Sequence, residues 1–260
     1  MLTTSYALNA LLMILFPILV GIFLARTFKL SWRLFFFGGL AFILAQLFHL
    51  PLNAVLTRVI PGLESGGSLW LRALILGFTA AITEEIARYS ILRNNLKEAR
   101  SWKAALMYGA GHGGFEAIIL GILAGLTLVN MIFLYNNPDA LTALPADKMI
   151  LVQEQLSKYW SMPWYWALMG VVERISTLII QISLAVIVMQ VFLKRNKNWL
   201  WIAVGWHWLV DAVAMLSAAH FSIAITELII GVMAFTGLII IFYFRPIESQ
   251  ADDSTLTTDN

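Results

Sequence analysis

Long uninterrupted runs of apolar residues alternate with short polar stretches along most of this chain. A helix needs about 20 apolar residues to cross the hydrocarbon core of a bilayer, and about seven segments reach that length. They run approximately over residues 6–25, 34–56, 70–92, 103–134, 164–193, 199–217 and 223–244. The runs are rich in Leu, Ile and Ala and do not alternate with polar residues, which favours helices over the strands of a membrane barrel.

The pattern therefore predicts an all-α protein, a polytopic transmembrane helix bundle of about seven spans with room for an eighth. Residues 1–246 are predicted to form a single transmembrane domain, and the sequence contains no recognisable internal repeat. The fourth segment exceeds one span, so it is expected to tilt strongly or to break near its glycines. Residues 247–260 are polar and are expected to form a disordered cytoplasmic tail.

Composition supports a membrane location. Of the 260 residues, 60% are hydrophobic and only 12% are charged, and the mean hydropathy is +0.81. A soluble domain carries about 25% charged residues, so this chain has too little polar surface to cover a globule in water. We therefore expect a multi-pass protein of the plasma membrane in contact with the lipid bilayer.

Several other classes of protein are disfavoured. Cysteine is absent, which excludes disulfides, thiolate metal sites and a cysteine nucleophile. The net charge of +2 is too small to indicate a nucleic-acid partner. The first apolar run lacks a preceding basic region and a convincing cleavage site, so it is interpreted as a retained membrane helix and not as a signal peptide.

Basic residues cluster in alternate connections between the predicted spans. They follow the first, third and fifth segments and are Arg26, Lys29, Arg33, Arg93, Lys97, Arg100, Lys103, Lys194, Arg195 and Lys197. The remaining connections are poor in basic residues for their length. The positive-inside rule then places the N-terminus outside and the C-terminus, from Arg245 onward, in the cytoplasm.

The sequence AITEEIARYSIL, in the second half of the third segment, contains three charged residues. Burying Glu84, Glu85 and Arg88 in a span costs several kcal/mol unless they are paired or solvated. Either carboxylate lies close enough along a helix to reach the guanidinium. One arginine cannot neutralise two carboxylates, so the second is either protonated or available as a base. A structural ion pair between helices is the alternative interpretation.

Two further motifs contain intramembrane histidines. The fourth segment opens with YGAGHGGFEAIILG, where the glycines around His112 let another backbone or a substrate approach closely, and Glu116 follows on the same helix face. The sixth segment contains GWHWLVDAV, in which His207 and Asp211 share a face. That Asp can orient the imidazole, or both side chains can point at one bound group. A tight helix crossing with an incidental His remains an alternative for the first motif.

The three motifs lie at a similar depth. At 1.5 Å per residue from the cytoplasmic ends, Glu84, His112 and His207 are each roughly 12–14 Å below the cytoplasmic surface. This agreement predicts one polar layer and one water-accessible cavity that opens to the cytoplasm. Gln181 comes close to the layer and, like Glu116, is assigned a supporting role.

Other polar residues in the spans are given structural roles. Glu173 and Arg174 lie nearer the outer surface and, being adjacent on a helix, point about 100° apart, so they are not expected to face one spot. His49 lies near the bend that Pro51 would cause. His220 falls in a short outer connection and is assigned no role.

The motifs EEIARY, GAGHGGFEA, ERI and HWLVD, in this order, resemble the YhfC family of intramembrane metalloproteases. The likeness spans most of the chain, and GHGGFEA is its most specific part. This family is similar in turn to type II CAAX prenyl endopeptidases, bacteriocin-processing membrane proteins and PrsW-like proteases. The resemblance implies an intramembrane endopeptidase that hydrolyses a peptide bond of a membrane-associated protein or peptide.

The resemblance also implies catalytic residues, which are Glu84, Glu85, Arg88, His112, His207 and Asp211. In the CAAX endopeptidase group, the first Glu of the paired acids and a His on the next helix activate water. A later His, with Asn or Asp four residues on, stabilises the oxyanion. By that likeness Glu84 is the general base with His112 as its partner, and His207 acts with Asp211 at the oxyanion. Here the Arg falls one residue earlier than in the commoner EExxxR pattern.

The residues alone do not decide whether the reaction depends on a metal ion. Glu84, His112 and His207 are a donor set that can bind Zn²⁺ with an open position, as the family's description implies. The resemblance to CAAX endopeptidases favours instead a glutamate-dependent reaction with no required cofactor. Two other classes of function use similar polar clusters: a proton- or solute-coupled transporter, for which inverted repeats are typical, and a non-catalytic immunity-type membrane protein.

The topology can be tested by labelling, because the chain contains no cysteine. In intact cells, single-cysteine variants at Lys97 and Lys197 should resist a membrane-impermeant maleimide and react with a permeant one. A cysteine at Ser65, in a connection that is expected to lie outside, should react with both. Labelling of Lys97→Cys or Lys197→Cys by the impermeant reagent would contradict the predicted orientation.

Overall fold

The computed structural model describes residues 1–246, and all regular structure in this part of the chain is helical. The α-helices in chain order are α1 (Leu2–Phe28), α2 (Trp32–Val59), α3 (Leu69–Asn95), α4 (Trp102–Asn136), α5 (Ala146–Ser161), α6 (Met169–Leu193), α7 (Asn198–His220) and α8 (Ile223–Tyr243). Short 3-10 helices, Pro138–Ala143 and Trp166–Leu168, lie on either side of α5. The all-α prediction is confirmed, and the predicted tail 247–260 lies outside the described residues.

Within residues 1–246, six helices are long and apolar enough to cross a membrane: α1, α2, α4, α6 with the preceding 3-10 turn, α7 and α8. The helix α3 has a similar length of 27 residues but carries Glu84, Glu85 and Arg88 in its second half. It packs against α2, α6 and α7 as a member of the same bundle. The expectation of about seven spans is therefore close, with α3 as the one polar member.

The surface of the bundle is apolar and its interior is partly polar. Along α1, the side chains of Leu8, Leu11, Leu15 and Leu19 are all exposed and lie on one helix face. Contiguous apolar surface of this kind is rare in soluble monomers and is typical of contact with lipid or a partner. The chain is a multi-pass membrane protein, and Glu84, Glu85 and Arg88 are buried inside the helix bundle.

The crossing of α2 and α4 requires glycine on both helices. A Cβ added at Gly38 would lie 2.0 Å from the carbonyl oxygen of Tyr108, and one added at Gly111 would lie 1.9 Å from that of Phe35. Atoms cannot approach so closely, so only glycine permits this packing. The contact fixes the position of His112 relative to α2, because His112 follows Gly111 directly in α4.

Of the two alternatives for the fourth segment, a strong tilt or a break, the break does not occur, since α4 is one continuous helix of 35 residues. Glycines lower helix stability by about 1 kcal/mol each relative to Ala. Here α1, α2 and α6 all pack along α4, and this burial offsets the cost. The helix α5 was not predicted and lies in the connection between the fourth and fifth predicted segments. It is linked to α1 because the Tyr6 hydroxyl donates to the Tyr159 carbonyl at 3.0 Å.

Candidate active site

Five polar side chains from four helices meet inside the bundle. Glu84 and Glu85 come from α3, His112 from α4, Gln181 from α6 and His207 from α7. Each of the five residues exposes 6% or less of its surface. Polar groups buried in this way must satisfy one another, because water and lipid do not compensate them. Their mutual contacts therefore define the site.

One oxygen of Glu84 faces both histidines. Its Oε2 lies 3.1 Å from His112 Nε2 and 3.8 Å from His207 Nε2, and the Gln181 amide lies 3.4 Å away. An ionised carboxylate only accepts hydrogen bonds, so His112 Nε2 donates to it. The structure thus brings together the predicted base and both predicted histidines around a single carboxylate oxygen.

Arg88 pairs with Glu85 and makes no direct contact with Glu84. Its Nε donates to Glu85 Oε2 at 3.0 Å, Nη1 donates to the Gln181 carbonyl at 3.2 Å, and Nη2 donates to Gln181 Oε1 at 2.5 Å. The spacing along the sequence allowed either carboxylate to pair with this arginine. The choice of Glu85 leaves Glu84 to interact with the histidines.

Glu85 also orients His207, a role that the sequence did not reveal. His207 Nδ1 donates to Glu85 Oε1 at 2.8 Å. The other ring nitrogen, Nε2, lies 3.6 Å from Asp211 Oδ2 and 3.8 Å from Glu84 Oε2, and both separations exceed a normal hydrogen bond. The ring is therefore held at Nδ1, and its Nε2 is directed between two carboxylates.

The side chains of the site are less exposed than the prediction of a water-accessible cavity implies. Glu84 exposes 8% of its side chain and His112 none, whereas Asp211 exposes 32%. The apolar packing of the surrounding helices closes the centre around Glu84. Asp211 is thus the predicted site residue that reaches the surface of the bundle most directly.

Glu116 is linked to Glu84 through the side-chain amide of Gln181. Gln181 Nε2 donates to Glu116 Oε2 at 3.3 Å, and Arg174 Nη1 donates to Glu116 Oε1 at 2.5 Å. Arg174 also pairs with Glu173. The two residues are adjacent on α6 and their Cβ atoms diverge, but their long side chains bring the charged ends together.

Gln46 of α2 was missed by the sequence reasoning. Its amide Nε2 donates to Glu84 Oε1 at 3.0 Å, so it contacts the oxygen that faces away from the histidines. His49 follows it at three residues and Asn53 at seven, on the same helix face. This spacing of polar residues within an apolar helix is the signal that could have identified Gln46, His49 and Asn53 as a group.

The predicted zinc ligands Glu84, His112 and His207 have donor types that suit Zn²⁺. Among the described residues, no three His, Asp or Glu side chains form a group that could hold a metal ion. His112 Nε2 lies 3.1 Å from Glu84 Oε2, so a metal bound to this nitrogen would have to displace the proton that it donates to Glu84. Within residues 1–246 the other ring nitrogen of His112, Nδ1, is buried without a hydrogen-bond partner, whereas metal-bound histidines usually donate from it.

The fold and the site define a class of protein: a multi-pass membrane protein with a buried carboxylate–imidazole centre. Residues 12–235 match the family model described as YhfC intramembrane metalloprotease. The chain belongs to the YhfC family, as its motifs predicted. It is 30% identical over 221 residues to the "Uncharacterized membrane protein YhfC" of Bacillus subtilis. The aligned region covers 81% of this chain and 83% of that relative. No solved structure matches the chain significantly.

The buried ion pair leads to a prediction about stability. Arg88→Met leaves the Glu85 carboxylate uncompensated and should lower the free energy of unfolding by about 3–5 kcal/mol. The double variant Arg88→Met/Glu85→Gln removes that charge and should recover part of the loss, as measured by thermal or denaturant unfolding in detergent. Arg58→Met, at an exposed position near the end of α2, serves as the control. Strictly additive losses in the double variant would contradict the pairing.

Proposed function

We propose that this protein is an intramembrane endopeptidase in which Glu84 activates a water molecule for attack on a peptide bond of a membrane-associated protein or peptide. The observation that carries this proposal is the position of Glu84 Oε2, 3.1 Å from His112 Nε2 and 3.8 Å from His207 Nε2. A base and two imidazoles from three helices thus surround one point inside the bundle. The family's description as a protease supports the same class of reaction.

Glu84 acts as the general base in this proposal. Its Oε2 takes a proton from water as the water oxygen forms a bond to the peptide carbonyl carbon. His112 donates to the same oxygen and holds it in place. When the C–N bond breaks, Glu84 returns the proton to the leaving nitrogen, so the products are a carboxylic acid and an amine and the base is regenerated.

His207 and Asp211 serve the oxyanion that forms during attack. To donate to an oxyanion, His207 needs a proton on Nε2 as well as the one on Nδ1 that bonds to Glu85. The carboxylates of Glu84, Glu85 and Asp211, all within 3.8 Å of the ring nitrogens, compensate the charge of that ring. Glu85 and Arg88 then act by fixing the orientation of His207.

This proposal uses no metal ion for the reaction. Each of its steps is performed by a side chain whose partner is already in place, and the Glu84–His112 hydrogen bond is part of the mechanism. Asp211 is the most exposed of these groups, so the scissile bond is proposed to enter from its side of the bundle.

The proposed role of Glu84 can be tested by one isosteric change. Glu84→Gln keeps the shape of the side chain but removes the basic oxygen, and should lower the cleavage rate by about 10²–10⁴. The measurement is mass spectrometry of a pool of membrane-spanning peptides incubated with the purified protein in liposomes. Glu98→Gln, at an exposed position after α3, is the matched control and should cleave at the wild-type rate.

Two outcomes would contradict the proposal. Cleavage by Glu84→Gln at the wild-type rate would remove Glu84 as the base. Proton or solute flux through the same liposomes that depends on Glu84, without cleavage of any peptide, would instead identify a transporter.

A further inference from the structure

A line of polar side chains leads away from Glu84 along α2, and none of the reaction steps proposed above assigns it a role. Gln46 Nε2 lies 3.0 Å from Glu84 Oε1, and Gln46 Oε1 lies 3.3 Å from His49 Nδ1. His49 Nε2 lies 2.7 Å from the amide nitrogen of Asn53. The hydroxyl of Thr79, on α3, donates to Asn53 Oδ1 at 2.8 Å. The line therefore begins and ends on α3 and crosses α2 between.

The direction of these hydrogen bonds is fixed by the carboxylate. An ionised carboxylate only accepts, so Gln46 must present its NH₂ group to Glu84. The carbonyl oxygen of Gln46 then faces His49 and also only accepts. His49 Nδ1 must therefore carry a proton and donate it to Gln46.

The other end of the line is consistent with this direction. The amide NH₂ of Asn53 donates to His49 Nε2, so that nitrogen carries no proton. The Thr79 hydroxyl lies nearest to the remaining Asn53 oxygen, at 2.8 Å, and the Leu76 carbonyl at 3.0 Å is its second possible acceptor. His49 is thus held as a neutral ring with its proton on Nδ1, which is the minor form of histidine in water. All four donors point toward Glu84 and polarise one another in the same direction.

This arrangement separates the two oxygens of Glu84. Oε1 is held by Gln46, whereas Oε2 is turned toward His112 and His207. Without the amide of Gln46, the carboxylate could rotate about its terminal bond, because this torsion has broad minima. A small misplacement of a reacting oxygen can cost about 10²-fold in rate.

We propose that Gln46 and His49 are positioning residues for Glu84. Asn53 selects the ring form of His49, His49 orients the amide of Gln46, and that amide fixes the Glu84 carboxylate so that Oε2 faces the imidazoles. The catalytic consequence rests on the proposed function, whereas the ring form of His49 is a property of the resting protein. The two parts can therefore be tested separately.

Two substitutions of His49 distinguish positioning from simple attachment of α2 to α3. His49→Asn places an amide nitrogen near the position of Nδ1 and keeps the donor to Gln46. His49→Gln places its amide near Nε2, keeps the contact to Asn53 and loses the donor to Gln46. A positioning role predicts that kcat falls roughly 10- to 100-fold in His49→Gln and in Gln46→Leu, with KM little changed, and that His49→Asn restores most of kcat.

Thr57→Val is the matched control on the same helix. Among the described residues, the Thr57 hydroxyl bonds to the backbone carbonyl oxygens of Asn53 and Ala54, so the variant removes a polar group of α2 without changing the side chains in the line of donors. Its kcat should equal that of the wild type. Equal kcat in His49→Asn and His49→Gln, with both losing the same thermal stability, would show that His49 only attaches helices and would overturn the proposal.

The ring form of His49 is read directly by ¹⁵N NMR of histidine-labelled protein in lipid bilayers. The chain has four histidines, and His49→Asn identifies the signals of His49 by their loss. The expected result is a neutral ring protonated on Nδ1. A ring protonated on Nε2, or one that exchanges between the two forms, would overturn the proposal. If the wild type cleaves no peptide, the proposed function fails and the NMR result alone decides whether His49 orients Gln46.

Discussion

The ion pair between Glu85 and Arg88 is formed by two side chains with no exposed surface, in a bundle whose outer face is apolar. In such surroundings a charge is stable only when its partner and the remaining hydrogen bonds are in place. Arg88 meets this requirement with the carbonyl and side chain of Gln181, and Glu85 with the ring of His207. The compensation of one charge pair thus joins α3 to α6 and α7 and sets the position of the groups around the site.

The same pair separates the roles of two adjacent carboxylates. Because Glu85 takes the arginine, Glu84 is left to contact the imidazoles of His112 and His207 and the amides of Gln46 and Gln181. A carboxylate without a guanidinium partner keeps an oxygen for proton transfer, which is what a general base requires. Glycine at the α2–α4 crossing lets these two helices approach closely at His112.

Much of the fold and part of the site follow from the sequence. The length of the apolar runs predicts the membrane-spanning helices. Depth measured from the basic loops places Glu84, His112 and His207 in one layer, and this estimate works because each helix has a regular rise per residue. Helix rotation and register between distant segments are set by packing, so the pairing of His207 with Glu85 and of Gln46 with Glu84 had no local signal. The length and glycine content of the fourth segment suggested a strong tilt or a break, and α4 is continuous because neighbouring helices pack along it.

The dependence of cleavage on a metal ion tests the glutamate-based reaction most directly. Purified protein in liposomes would be treated with a strong chelator, its metal content determined by elemental analysis, and its cleavage rate compared with that of untreated protein. A carboxylate–imidazole centre in which His112 donates directly to Glu84 predicts an unchanged rate and no stoichiometric Zn²⁺. Loss of cleavage on chelation, with recovery on adding one equivalent of Zn²⁺ and failure of His112→Ala to bind it, would contradict this mechanism.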